Sequence, residues 1–340
     1  VTAGKFHDRL VTPADTGLPK GFFDRFVVNL HPDDATAPSV LVGCGLHPVR
    51  GTVDGFAILV TPTEQRNARF YTELAATDWS SCGPLSWEVV EPNDVWRLAL
   101  ADNPTGMTFD LTWRARAPYF ATTVGVANPA GGTTSFDHLF QSGYVEGTLT
   151  ADGVETAVSR WYSQRDRSRG LRTLAGGQGL HVWFQAQFPD RSVGFLLVER
   201  RDGSRVVLEG AVMHTEESGG RLDEIVEVRH DLRFSDALDL ESGTVAVTTA
   251  SGTVYPIGCD ASAGGGFMAG GGYGGHHGEA KGVDHVEGET YPLDGSVSPR
   301  TLDSSLTDRL AVFDWDGTAG SGIFEFALSR SSSYSYEPTL

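Results

Sequence analysis

Cysteine is scarce in this chain. Cys44, Cys82 and Cys259 are odd in number, far apart and free of any CxxC spacing. That speaks against a disulfide framework or a zinc ribbon and for a reducing compartment, with one bridge beside one free thiol as the remaining disulfide arrangement. Positive charge is short as well: 26 Lys and Arg face 44 Asp and Glu, a formal net charge of −18. Phosphate binding wants a basic stripe, so no nucleic-acid partner is expected. No run approaches the roughly 18 apolar residues of a membrane helix, and Val1–Leu10, with Lys5, His7, Asp8 and Arg9, lacks an apolar signal core. A cytoplasmic protein without a membrane span is expected. Helical periodicity is absent over any useful length, and only Pro299–Leu306 has room for a turn or two. No G-x-S-x-G elbow anchors a hydrolase triad. No H-E-x-x-H or facial two-His pattern marks a metal, and neither metal nor other cofactor is expected.

What is present favours sheet. The 340 residues include 42 glycines and only 3 methionines, with many Val, Thr, Phe and Trp, residues suited to pleated, half-buried surfaces. Phe22–His31, Val40–Val49, Val53–Thr61 and Gln65–Ala76 read as strands. Leu85–Glu91 and Val95–Leu100 pair through Pro92–Asn93–Asp94, and Met107–Arg116 alternates cleanly. After a loop at Ala127–Thr134, Gly143–Thr150 and Val154–Gln164 form a hairpin through Asp152–Gly153. The second half repeats the style with Gly179–Phe188, Ser192–Glu199, Arg205–His214, Ile225–Phe234 and Gly243–Ala250. A glycine-laden loop, Ala261–Gly282, precedes strands at His285–Leu293, Leu310–Trp315 and Ser321–Leu328. The expected fold is all-β: two tandem antiparallel barrels or sandwiches, residues 1–172 and 173–340, each closed to remove its edges. A ligand chamber is expected within or between them.

The stretch Arg160–Arg172 joins the halves and holds five arginines, Asp166, Trp161 and Tyr162. Guanidinium forks around Asp166 would hold its carboxylate ionised, with the two rings as flat cavity walls. The alternative is a solvated arginine face. Late in the chain, Gly264–Gly272 reads as a flexible glycine tract. Its formal G-x-G-x-x-G at Gly270, Gly272 and Gly275 lacks the strand before and helix after that a dinucleotide site needs. Glycines flank His276 and His277, so backbone can approach a ligand there and at most one of the two imidazoles faces it as acid or base. His181 and Trp183 share a strand parity and face one side, whereas His230 and Asp231 point oppositely.

The segment Trp161–Arg172, W-Y-S-Q-R-D-R-S-R-G-L-R, resembles the R-D-H-S-W-G-x-R motif of the superfamily of carotenoid 1,2-hydratase (hydroxyneurosporene synthase) and AttH-like proteins. Gly270–Gly278, G-G-G-Y-G-G-H-H-G, is similar to a Gly-Tyr/Trp-His-His-Gly segment in its actinobacterial-type branch. The resemblance spans about residues 20–330 and implies two lipocalin-like β-barrel domains. It also implies chemistry on greasy substrates, either hydration of terpenoid double bonds or cofactor-free cyclisation. Asp166, Arg165, Ser168 and Gly170 match the motif, but Arg167 stands where the family has His and Arg169 where it has Trp. Proton transfer is therefore expected from Asp166 and the His276/His277 pair, with Arg165 beside them. Trp161, Tyr162, His181, Trp183, Tyr273 and His230 are the expected substrate contacts. The expected activity is a cofactor-independent hydratase, dehydratase, isomerase or cyclase acting on a hydrophobic terpenoid- or polyketide-like molecule. A non-catalytic carrier of a hydrophobic ligand is the second reading, and a carbohydrate-active protein with two facing carboxylates the third.

Overall fold

Antiparallel strands dominate the computed structural model, which describes residues 9–36, 38–127, 131–172 and 178–340. Residues 1–8, residues 128–130 inside the expected loop, and residues 173–177 just after the expected boundary lie outside the described residues. The first eleven strands are β1 (Phe22–His31), β2 (Ser39–His47), β3 (Thr52–Val60), β4 (Glu64–Glu73), β5 (Ser81–Cys82), β6 (Leu85–Glu91), β7 (Val95–Leu100), β8 (Met107–Ala115), β9 (Phe120–Ala127), β10 (Thr133–Ala151) and β11 (Val154–Leu171). The remaining ten are β12 (Gln178–Phe188), β13 (Arg191–Arg200), β14 (Arg205–His214), β15 (Leu222–Phe234), β16 (Leu240–Thr249), β17 (Val254–Asp260), β18 (Gly265–Phe267), β19 (His285–Pro292), β20 (Thr307–Trp315) and β21 (Thr318–Leu328).

These strands form two antiparallel sheets. The second runs β17-β16-β15-β14-β13-β12-β21-β20 and closes into a barrel because β17 also pairs with β20. Phe184, Phe195, Phe313 and Phe324 fill its interior. The first runs β19-β4-β3-β2-β1-β11-β10-β8-β7-β6-β5, with β9 beside β10, and curls without closing. All-β architecture with two tandem sheets matches the sequence expectation, while closure of both sheets does not.

Two elements differ from expectation. The segment 135–142 and the whole of β9 are strand, so β10 runs 19 residues and β11 runs 18. Both long strands bend at a bulge between Val145 and Gly147, where Arg160 takes a left-handed φ of 53°. The glycine-laden stretch is ordered. β18 pairs with β20, a 3-10 turn at Met268–Gly271 packs on β3 and β4, and β19 pairs with β4 at the edge of the first sheet. Residues of the second half of the chain thus return to the first sheet before β20 resumes the barrel. Pro299–Leu306 forms turns and no helix.

Side-chain chemistry explains this docking. Gln65 Nε2 donates to Phe267 O at 2.8 Å while Gln65 Oε1 accepts from Phe267 N at 2.6 Å. Met268 joins Val27, Leu41, Phe56, Ile58 and Val60 in an apolar cluster. Gly270 is needed at the contact, because a Cβ there would lie 2.0 Å from Asn67 Oδ1.

Strands β1, β2 and β3 are buried on both faces, since one face lines the first core and the other meets the second sheet or the returning segment. Asn29 Nδ2 donates to Gln185 Oε1 at 2.9 Å, and Ser142 Oγ to Gln187 Oε1 at 2.6 Å. Ala117, Phe140, Ala211 and Met213 add an apolar contact between the sheets. The three cysteines are buried and unpaired by disulfide. No helix among the described residues is long and apolar enough to cross a membrane.

Gly270→Val tests the docking of the returning segment. Overpacking of this kind costs about 1–3 kcal/mol, and amide exchange is expected to accelerate across residues 265–292 while the barrel core keeps its protection. Unchanged exchange in that segment would contradict the packing.

Candidate functional site

A cavity of about 670 Å³ lies between the two sheets. The alternation of β11 fixes what faces it. Arg165 and Arg167 point into the first core, whereas Asp166 and Ser168 border the cavity. Arg165 lies between Trp96 and Trp113, its Cζ 5.0 and 4.9 Å from their ring centroids, and donates to Gln141 Oε1 at 2.7 Å. Arg167 is fully buried against Asp24, Nη2 to Oδ1 2.6 Å. The expected guanidinium forks around Asp166 are therefore on the opposite face of the strand.

Asp166 is held by an imidazole that the sequence reading passed over. His138, on the neighbouring strand β10, donates from Nε2 to Asp166 Oδ2 at 2.6 Å and from Nδ1 to Glu209 Oε1 on β14. Burial alone would lower its pKa, but the negative charges of Asp166 and Glu209 and their hydrogen bonds outweigh it and push it up to about 10. His138 is thus a buried imidazolium spanning both sheets. The second oxygen of Asp166 makes no hydrogen bond among the described residues.

The returning segment adds Tyr273 and His277 to the same cavity. Four groups converge on Asp54 of β3: His47 Nε2 at 2.5 Å, His277 Nδ1 at 2.7 Å, Gly278 N at 3.0 Å and Arg25 Nη2 at 3.4 Å. Burial acts to raise the Asp54 carboxyl, yet His277, which is charged only at the acid pH where that carboxyl would titrate, the Arg25 guanidinium and the hydrogen bonds from the two imidazoles hold it well below the usual carboxylate range. His277 itself is lowered to about 4, mainly by burial and next by Arg25, so its ring is neutral near pH 7. Its Nε2 is buried without a partner among the described residues, and the Tyr273 ring packs perpendicular to the imidazole at 4.6 Å. The Asp54 cluster therefore props Tyr273. Burial first keeps that phenol protonated, within electrostatic reach of Arg25, Glu325, Asp166 and Arg172.

The barrel supplies the opposite wall. His181, Trp183 and Glu325 border the cavity, in line with the shared parity of His181 and Trp183. His181 Nε2 donates to Glu325 Oε1 at 2.9 Å. Asp308 stands directly across the β20–β21 ladder from Glu325 and is fully buried. Burial, then the Glu325 charge, pushes its carboxyl well above the usual range, so it keeps a proton.

The structure thus gathers Asp166, His277, His181, Trp183 and Tyr273 at one cavity. It does not bring the others there. Arg165 and Trp161 belong to the first core, since their parity is opposite to that of Asp166. Tyr162 faces the sheet interface beyond the cavity, stacked on Tyr144 at 5.7 Å under Arg116. His276 is turned outward beside Glu279, with 42% of its side chain exposed. His230 sits at the edge of the barrel interior between Glu199, 3.1 Å, and Tyr336, 2.8 Å. The alternating Phe136, His138 and Phe140 were a legible sign of the missed strand, but nothing local marked Asp54, Glu209, Glu325 or Asp308. Among the described residues no group of three or more His, Cys, Asp or Glu has an arrangement that would hold a metal ion.

The raised His138 sets a pH dependence. An unfolded histidine loses its proton near 6.5, whereas the folded one keeps it to about 10. Its contribution is complete below 6.5 and is lost as the pH rises through about 10. Urea titrations are expected to show wild-type stability falling over that window by a few kcal/mol relative to His138→Phe. Parallel profiles for the two proteins would contradict the charged bridge.

No curated protein matches the chain by sequence. A crystal structure of a Nitrosomonas europaea protein provisionally assigned as AttH superposes with a TM-score of 0.59 at 13% identity, covering 94% of this chain and 96% of that one. Kievitone hydratase from Nectria haematococca gives a TM-score of 0.43 at 13% identity, covering 92% and 91% of the two chains. CghA gives 0.48 at 9% identity, covering 92% and 90%. The first of these likenesses shows a common two-sheet fold. A family model described as "Family of unknown function (DUF8625)" matches residues 10–335, nearly the whole chain, and the protein therefore belongs to that family.

Proposed function

We propose that the protein is an acid–base enzyme of hydratase, dehydratase, isomerase or cyclase type, acting on a hydrophobic terpenoid- or polyketide-like small molecule held between the sheets. The observation that carries this reading is Asp166, which borders the cavity and has one oxygen fixed by the buried imidazole of His138. A carboxylate held in this way is oriented to take a proton from a substrate carbon or a water. The Tyr273 phenol, protonated and propped by the Asp54 cluster, donates a hydrogen bond to the oxygen that leaves or enters. Glu325, held by His181, adds a further carboxyl group on the facing wall. Trp183 offers an aromatic face to positive charge that develops on the substrate. A carboxyl group oriented by an imidazole and a protonated phenol at one cavity suit addition or removal of water across a double bond.

The carrier reading draws on the apolar part of the wall, which includes Phe23, Val27, Val124, Leu196 and Val198. A carrier needs such a wall but has no use for Asp166, Tyr273 and Glu325 around one void, so the enzyme reading is preferred.

Mass spectrometry of the pure protein for a co-purifying ligand, followed by incubation with terpenoid and polyketide extracts, provides the assay. Asp166→Asn is expected to lower kcat by roughly a hundred- to ten-thousand-fold, and Tyr273→Phe to lower it with little change in KM. Turnover unchanged in Asp166→Asn would remove the proposed base.

A further inference from the structure

We infer that the substrate carries an acidic group, a carboxylate or an ionised enol, at one end of its apolar skeleton, and that Arg172 binds that group. The inference rests on the cavity being the substrate site. Arg172 ends the arginine-rich stretch and borders the cavity, its Cζ 4.4 Å from the Phe136 ring centroid and 5.5 Å from that of Phe23. Guanidinium stacking on rings fixes the plane and leaves the N–H edge for a ligand. Among the described residues no carboxylate lies within ion-pair distance of it, and residues 173–177, Thr-Leu-Ala-Gly-Gly, contain none.

The other charged groups nearby are engaged. Asp166 accepts from His138, Glu325 from His181, and Asp54 from Arg25. Arg50 reaches the carbonyls of His277 and Gly278 at 3.4 and 3.5 Å, and Arg200 the Ser204 hydroxyl at 3.4 Å. Desolvation first, and then Arg25 on the neighbouring strand β1, lower the hold of Arg172 on its proton, with Tyr273, Asp166 and Glu325 acting the other way. The Arg172 guanidinium is exposed at the cavity margin and stacked on two rings, so its N–H edge is open to a ligand, and Arg25 adds a second positive charge to the same cavity. An acidic group there takes a bidentate, charge-assisted hydrogen bond from Arg172, which a neutral group does not.

The test follows the fluorescence of N-phenyl-1-naphthylamine bound to the full chain, displaced by decanoate or by 1-decanol. In the wild type decanoate is expected to compete roughly tenfold or more better than 1-decanol, the advantage of a charge-assisted hydrogen bond. Arg172→Met, which keeps the apolar stem over Phe136, is expected to abolish the preference, and Arg172→Lys to retain part of it. Equal competition by the two ligands in the wild type, or a preference that survives in Arg172→Met, overturns the inference while the cavity reading stands. Failure of the neutral probe to bind at all removes both. Should Arg172→Met not fold, the wild-type comparison and Arg172→Lys still decide.

Discussion

One buried imidazolium couples the two sheets to each other and to the cavity. His138 sits on the first sheet, and its two N–H groups are taken by Asp166 beside it and by Glu209 of the barrel. A lone cation at that depth would be expelled or would lose its proton, and two unpaired carboxylates there would be as costly. Together they are mutually satisfied, and the geometry that satisfies them orients Asp166. Sheet packing and site geometry are thus one arrangement.

The chemistry around that bridge follows from a central strand that is buried on both sides. In β11 the odd residues Arg165 and Arg167 enter the first core, where two indoles and Asp24 accept them. The even residues Asp166 and Ser168 are left for the cavity. A one-residue slip would exchange these roles, placing guanidinium groups in the cavity and carboxylate in the core. The core arginines therefore do structural work that enforces register. Their partners, Trp96, Trp113 and Asp24, act on the site only through the strand.

Much of the fold was legible because it depends on local pattern. Two-residue alternation, Asx-Gly turns and the lack of helical period specify antiparallel sheet, and most strands fall where those signals lie. The expected hairpin, Gly143–Thr150 and Val154–Gln164, covers only part of β10 and β11, in which Gly143 serves close strand approach and Gly147 a bulge. The site was half legible. Asp166, Tyr273 and His277 stood out by composition, and His181 and Trp183 by parity. His138 did not, because it sits on the adjacent strand and its pairing with Asp166 is one that only register reveals. Asp54, Glu209, Asp308 and Glu325 are ordinary acids in sequence and gain their roles mainly from distant partners, such as Gly278 at 224 residues from Asp54 and His138 at 71 from Glu209, or from the opposite rung of a ladder. The glycine tract was misjudged as flexible, since glycine permits close docking as readily as disorder, and Gly270 against Asn67 is the former case.

The claim that the sheets meet through a charged His138 is open to direct observation. Of the 10 histidines in the chain, one imidazole ring in the nitrogen-15 NMR spectrum of the wild type at pH 8 should carry protons on both ring nitrogens, and should lose that state in Glu209→Gln. A spectrum in which every histidine is neutral at pH 8, or one unaffected by that substitution, would contradict the account.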